Sequence, residues 1–220
     1  MLFSVTNVLR CMSTKNKILD AAELLFADKG FNGTSLREIT GLATVNLAAV
    51  NYHFGSKKEL IKAVMSRYMD ELSPRLESAL SQLCERDDKP TLHEVFSAFI
   101  EPLLYLNQYR ENGTSTFLQL LGRGYTDSQG FLRWFLTTQY PNVFSNFTEA
   151  VHKAYPELSA EEMFWRLHFT MGTIVFTMSS SDALIDIAAN DFDREVDISG
   201  VIEKVIPYVA AGVAAPIAFK

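Results

Sequence analysis

Apolar residues in this chain recur at the spacing of a helix face, and no stretch shows the strict alternation of a half-buried strand. Ile18, Ala21, Ala22, Leu25 and Phe26 open the series, at i, i+3, i+4, i+7 and i+8. Leu36, Ile39 and Ala43 continue it, and Ile198, Val201, Ile202, Val205, Val209 and Val213 close it as one broad stripe. The pattern predicts an all-α chain. With 220 residues, 48% of them hydrophobic, it is long and apolar enough for a sizeable core. That composition excludes a disordered tail protein, a collagen-like fibre and a small disulfide scaffold.

Helix punctuation divides the chain. Gly30 stands where a left-handed residue would end the first helix. Thr34 or Ser35 can cap a second helix. After a break at 43–45, Asn46 can cap a short third helix from Leu47 to His53, which Gly55 ends. Ser56 and Glu59 have the spacing of a capping box at the start of a long fourth helix. Ser73-Pro74 marks a kink or a fresh start in it. A polar linker, 84–91, precedes a helix from Leu92 to about Tyr109. A short helix is expected over Phe117–Gly124, with Ser128-Gln129-Gly130 as a stop, and then a helix from Phe131 to Tyr155 bent at Pro141. Ser159 and Glu162 form a second capping-box pair before a long apolar helix. Residues 190–197 read as an acidic loop and Ile198 to about Ala214 as the last helix.

The net charge of −6 argues against nucleic acid only if the chain is taken whole. Residues 1–67 hold nine Lys/Arg against five Asp/Glu, whereas the rest holds eleven against twenty-one. A small basic head on a large acidic body is the asymmetry that matters. The two cysteines, Cys11 and Cys84, are far apart, which fits a reducing cytoplasm better than a disulfide or zinc framework. The first eleven residues lack the basic-then-apolar order of a secretory signal. They read as a flexible leader over 1–14, and Met12 is a second candidate start. The charge-free runs Leu167–Ser181 and Val205–Phe219 are short for a membrane span.

Three short helices fill the basic head, and the gap between the second and third is that of a helix-turn-helix. The third is then the candidate reader. Asn46, Ala48, Ala49, Asn51 and Tyr52 are its candidate outward residues. Small side chains let the backbone approach the bases, and Asn can pair bidentately with adenine. Tyr52, His53, Thr34 and Lys57 carry the hydroxyl, imidazole and ammonium groups that hold a phosphate backbone. Ser35, Arg37 and Leu47 complete the candidate DNA-contact set.

Residues 24–39, LLFADKGFNGTSLREI, and 52–60, YHFGSKKEL, closely resemble the TetR family of transcriptional regulators. The resemblance covers roughly residues 15–65. It implies a three-helix DNA-binding domain over 15–60 and a larger helical ligand-binding and dimerisation domain over 61–220. Thr44 departs from the family pattern, which usually has Gly in this turn, so a wider or strained turn is expected. Residues 45–58, VNLAAVNYHFGSKK, look like the reading helix of the PsrA-type subgroup, the fatty-acid-responsive repressors of β-oxidation genes. That likeness implies a homodimer on a palindromic double-stranded operator, released by a long-chain fatty acid or acyl-CoA. A regulator of efflux that senses another hydrophobic or cationic molecule is the alternative.

The body carries many large apolar groups, with 16 Phe in the whole chain. An acyl chain needs an apolar tunnel with a polar or cationic end. The candidate lining is Phe99, Leu103, Phe117, Leu121, Trp134, Phe147 and Phe169, with Gln119, Arg133 and His168 as head-group ligands. Met178, Val205, Val209 and Val213 are the candidate dimer contacts, since the last two helices are apolar on more than one face. Histidines 53, 93, 152 and 168 are scattered, so neither a metal site nor a cofactor is expected. No triad order, phosphate loop or GxGxxG is present, and an enzyme is not expected.

Overall fold

The structure, a computed structural model, describes residues 13–216. Of the expected leader only Ser13 and Thr14 fall within these, and Ser13 caps the first helix by accepting from the Asn16 amide. Eleven helices and no strand occur among the described residues. The head contains α1 (Thr14–Gly33), α2 (Leu36–Ala43) and α3 (Leu47–Phe54). The body contains α4 (Lys57–Glu85), α5 (Leu92–Ser97), α6 (Ile100–Tyr109), α7 (Gly113–Gln139), α8 (Pro141–Ala154), α9 (Ala160–Ser179), α10 (Ser181–Phe192) and α11 (Ile198–Ala214). The all-α expectation, with a helix-turn-helix head on a larger helical body, is met.

Several boundaries differ from the sequence expectation, each for a local reason. The stretch 92–109 is two helices, because Pro102 lacks an N–H and crowds the carbonyl a turn earlier. Pro102 therefore sits in the first turn of α6. Conversely, α4 runs through Pro74 without interruption, with Leu72 and Leu76 buried on either side. The expected short helix and its stop merge into one α7 of 27 residues. Gly124 is a site of close approach there and not a breaker: a Cβ would lie 2.9 Å from Phe31 Cε2. Residues 181–192 form α10, which shortens the acidic loop.

The expected boundary at residue 60 falls inside α4, so head and body share a continuous helix. They also share a core. Ile18, Phe26, Ile39 and Val50 are fully buried in the head and continue into Leu60, Val64, Met65, Tyr68, Leu106 and Leu120 of the body. Tyr68 packs against Phe117 with ring centres 5.6 Å apart. Four charges cross the same junction. Arg67 of α4 lies 2.7 Å from Asp20 and 3.1 Å from Glu23 of α1. Arg110, just beyond α6, lies 3.0 Å from Asp20 and 3.1 Å from Glu23. At the far end, buried Arg166 of α9 donates to the carbonyls of Val213 and Ala215 and so caps α11.

Capping boxes start two helices. Ser35 accepts from the Glu38 amide while Glu38 accepts from Ser35, and Thr91 and Glu94 do the same. The pairs foreseen at Ser56 and Ser159 form by half, since Glu59 turns to Lys62 and Glu162 to Arg166. The Ser35 backbone N–H, then Lys29, hold the Glu38 carboxyl at about 2, below its ordinary 4.5. The Thr91 N–H and Arg86 hold Glu94 likewise at about 2. A carboxyl lowered in the folded state stabilises above its unfolded value and loses that contribution as pH falls through the folded one. Urea midpoints should therefore drop between pH 4.5 and 2. The double variant Glu38→Gln, Glu94→Gln should drop less steeply over that window.

Candidate nucleic-acid interface

The outward face of α3 follows from which residues it buries. Val50 and Phe54 are in the core. Leu47, Ala48, Asn51 and Tyr52 therefore share the opposite side at i, i+1, i+4 and i+5, and all four are exposed. Tyr52 is 85% exposed, an unusual state for an aromatic in a helix flanked by core. His53 is half-buried and meets Tyr52 edge-on at 5.0 Å between ring centres. Ala49 is half-buried and packs toward the core, so it sits at the margin of the face.

Flanking cations are sorted by their partners. Lys29 pairs with Glu38 at 2.9 Å and Lys62 with Glu59 at 2.8 Å. Lys62 also lies 5.2 Å above the Trp134 ring, and Lys58 5.9 Å above Phe131. Arg67 is committed to Asp20 and Glu23. Among the described residues Arg37, on the first turn of α2, and Lys57, which opens α4, make no ion pair. They flank α3 with charge available to a phosphate.

The structure corrects one residue of the expected set. Thr34 is 1% exposed, and its hydroxyl donates to the carbonyls of Gly30 at 2.8 Å and Leu25 at 3.0 Å. Its hydroxyl therefore locks the corner after α1 and does not face a phosphate. Asn46 Oδ1 accepts the Ala49 amide at 2.9 Å, so it acts as the N-cap while its side chain stays exposed with the Nδ2 donors outward of that bond. Ser35, Arg37, Leu47, Ala48, Asn51 and Tyr52 stand exposed, Ala48, Asn51 and Tyr52 as expected. The turn itself is strained. Thr44 has φ 55 and ψ 47, a left-handed conformation that a β-branched residue rarely adopts. Its amide and that of Val45 close the end of α2 on the Gly41 and Thr40 carbonyls.

The body does not gather the ten expected ligand residues into one place. Phe117 is core, against Tyr68. Phe99 and Phe147 stack edge-on at 5.3 Å, with Leu103 half-buried nearby in sequence. Leu121 and Gln119 are half-buried on α7. Arg133 is exposed, and Trp134 is 53% exposed beneath Lys62. His168 Nδ1 lies 2.6 Å from the Phe164 carbonyl, and Phe169 is 66% exposed on the outer side of α9. Among the described residues one open cleft, of about 720 Å³, lies beside the α2–α3 turn and another, of about 630 Å³, between α10 and α11. Neither is lined by a residue of that set. The expected dimer contacts are also corrected. Met178, Val209 and Val213 are buried within the chain and Val205 is half-buried, because the stripe of α11 faces its own core. Large apolar groups that point outward include Phe164, Trp165, Phe169 and Phe176 of α9, Ile187 and Phe192 of α10 and Tyr208 of α11. No helix among the described residues is long and apolar enough to cross a membrane. Nor do those residues contain a His/Cys/Asp/Glu group able to hold a metal ion.

A short outward-facing helix behind a tight turn, fixed to a helical body, defines a helix-turn-helix protein of two regions. Residues 18–64 match the family of bacterial regulatory proteins of the tetR type, and residues 97–212 match the tetracyclin repressor-like C-terminal domain. The chain belongs to the TetR family. It is 35% identical over 100 residues to a probable HTH-type transcriptional regulator, YttP, of Bacillus subtilis, a match covering 46% of this chain and 47% of that protein. It is 30% identical to the HTH-type regulator CymR of Pseudomonas putida, over 38% of this chain and 41% of the relative. The chain thus spans less than half the length of the curated relatives it matches. Among solved structures, a tetR-family regulator from Shewanella sp. PV-4 superimposes with a TM-score of 0.58 at 14% identity, over 90% of this chain and 96% of the other. The fatty acid degradation regulator FadR of Bacillus halodurans gives 0.55 at 16%, over 91% and 96%. These likenesses show the fold.

The left-handed Thr44 costs roughly 1–2 kcal/mol relative to a residue without Cβ strain. Thr44→Gly should raise stability by about 1 kcal/mol after the added freedom of the unfolded chain is subtracted. The check is a higher urea midpoint at unchanged slope.

Proposed function

We propose that this chain is a transcriptional repressor that holds a palindromic double-stranded operator as a homodimer and releases it when a hydrophobic small molecule binds the body. The observation that carries the first half is the outward face of α3, with Leu47, Ala48, Asn51 and Tyr52 exposed between the uncommitted charges of Arg37 and Lys57. Asn51 is the base reader and Tyr52, Arg37 and Lys57 grip the backbone. Selection from a randomised duplex pool should return a palindrome, and a pool with nothing enriched sinks the reading. Lys57→Ala should weaken selected and unrelated duplexes alike and lower the salt slope of log K by about one. An unchanged slope removes Lys57 from the interface.

Two heads reach successive major grooves on one side of a duplex when they are about 34–36 Å apart, or a multiple of that. The face suited to pairing them is Trp165 and Phe169 of α9 with Tyr208 of α11, 50%, 66% and 67% exposed. Such a patch stays wet in a monomer. Phe169→Glu should give monomers by sedimentation with helical content intact. Val209→Glu, buried in the chain, should instead unfold it. A dimeric Phe169→Glu variant would exclude this face.

The effector proposed is a long-chain fatty acid or its CoA thioester. Its support is the Phe-rich body and the PsrA-type resemblance of residues 45–58. A solved neighbour is itself described as a fatty acid degradation regulator. The efflux alternative, where its molecule is cationic rather than hydrophobic, needs a buried acid for it. Among the described residues Glu23 is the buried acid, and two arginines already neutralise it.

A further inference from the structure

α1 does not end cleanly. Gly30 interrupts it with φ 78 and ψ 172, and one more turn follows to Gly33. Such a break leaves carbonyls on its N-terminal side and amides on its C-terminal side without helical partners. The partners come from α7, about a hundred residues later. Arg123 donates from Nη2 to the Asp28 carbonyl at 2.8 Å and from Nε to the Ala27 carbonyl at 3.4 Å. Asp127, one turn on, accepts the Asn32 amide at 3.0 Å through Oδ2, and its main-chain carbonyl accepts Asn32 Nδ2 at 3.1 Å. A cation thus meets the orphan carbonyls and a carboxylate meets the orphan amide, the charge order that helix ends favour.

The fit is close on both sides. A Cβ on Gly30 would lie 2.5 Å from Asp127 Oδ2, so the carboxylate fills the space that any other residue would need. Between the two charged residues, Gly124 lets Phe31 rest against the α7 backbone. Arg123, Gly124 and Asp127 therefore share one face of α7 and grip one bend of α1. The same bend carries Thr34, whose hydroxyl ties the corner from which α2 departs.

We propose that Asp127 is a positioning residue for operator recognition, and that its clasp on the Gly30–Asn32 bend fixes the direction in which the reading helix points. The proposal rests on the DNA-binding reading given above. A palindrome rewards two heads held at one spacing. A head free to rock loses freedom on binding both half-sites, whereas contact with any stretch of phosphate backbone needs no fixed spacing.

The test uses the full chain and two duplexes, one selected by the wild-type protein and an unrelated one of equal length. Asp127→Ala should lower the affinity ratio between them about tenfold, through the selected duplex alone. Asp127→Asn keeps an acceptor for the Asn32 amide and should restore the ratio to within a few-fold of wild type. Equal loss on both duplexes would mean a damaged fold, and an unchanged ratio would mean no positioning role; either overturns the proposal. Amide ¹⁵N relaxation on the free protein gives an answer that needs no DNA. Amides of α2 and α3 should tumble with the body in wild type and show added independent motion in Asp127→Ala. One common tumbling time in both would also overturn the clasp. If wild type selects no duplex, the DNA-binding reading fails, and the relaxation comparison still decides whether Asp127 fixes the head.

Discussion

Glu23 is a carboxylate at 5% exposure, and its charge dictates how the molecule is assembled. An ion so far from water costs several kcal/mol unless cations replace its hydration. Arg67 and Arg110 do so, and Asp20 balances the second positive charge. The residues come from α1, α4 and the corner after α6. Those three elements must converge for the charge to be tolerated. A mispacked head would strand an unpaired ion, so the cluster penalises wrong arrangements more than it rewards the right one. The Tyr68 hydroxyl lies buried beside it, and burial, then the Glu23 charge, raises the phenol well above its ordinary range.

From this follows a division of labour among the cations of the head and of the two body helices beneath it. Basic residues in a DNA-binding head serve the fold or the ligand, and a committed charge contributes little to phosphate binding. Arg67 and Arg123 hold α1 to the body, and Lys58 and Lys62 cover the aromatic rings of α7. Arg37 and Lys57 remain at the rim of the reading helix. The positive excess of residues 1–67 therefore overstates the charge that a duplex would meet. The useful quantity is the number of cations without an internal partner on the face that carries Asn51 and Tyr52.

Local chemistry was legible in the sequence, and distant pairing was not. The caps Ser35, Asn46 and Ser56, the left-handed Gly30 and the inward Val50 and Phe54 are all set by residues within one or two turns. The strain at Thr44 was visible as a missing glycine. What failed was phase and partnership. α11 is apolar around much of its circumference, so its pattern does not reveal which stripe faces inward, and Val209 and Val213 were assigned outward when they face the core. Gly124 has the same spelling as a helix stop and a site of close approach, and only Phe31 against it tells them apart. The roles of Arg123, Asp127, Arg67 and Arg110 were not legible because their partners lie 44 to 96 positions away. The exposed Trp165 and Phe169 could have been found from their i, i+4 spacing, had the apolar face of α9 been divided into two.

On the proposed function, release of DNA by a molecule bound in the body would need only a modest coupling energy. A hundredfold loss of affinity corresponds to about 2.8 kcal/mol. A hydrogen bond to a charged group contributes about 1.5–3 kcal/mol. Loss of one or two such contacts at the junction is therefore sufficient, and no unfolding of the head is required. The junction contacts are also short and directional, so they weaken steeply with small displacements. α7 carries Arg123 and Asp127 on its head-facing side and Phe117, Leu120 and Leu132 in the core of the body. A molecule that moves this helix to make room among those apolar groups must strain the contacts on its other side. The stiffness of one unbroken helix, which glycine punctuation had suggested was two, is what joins those sides.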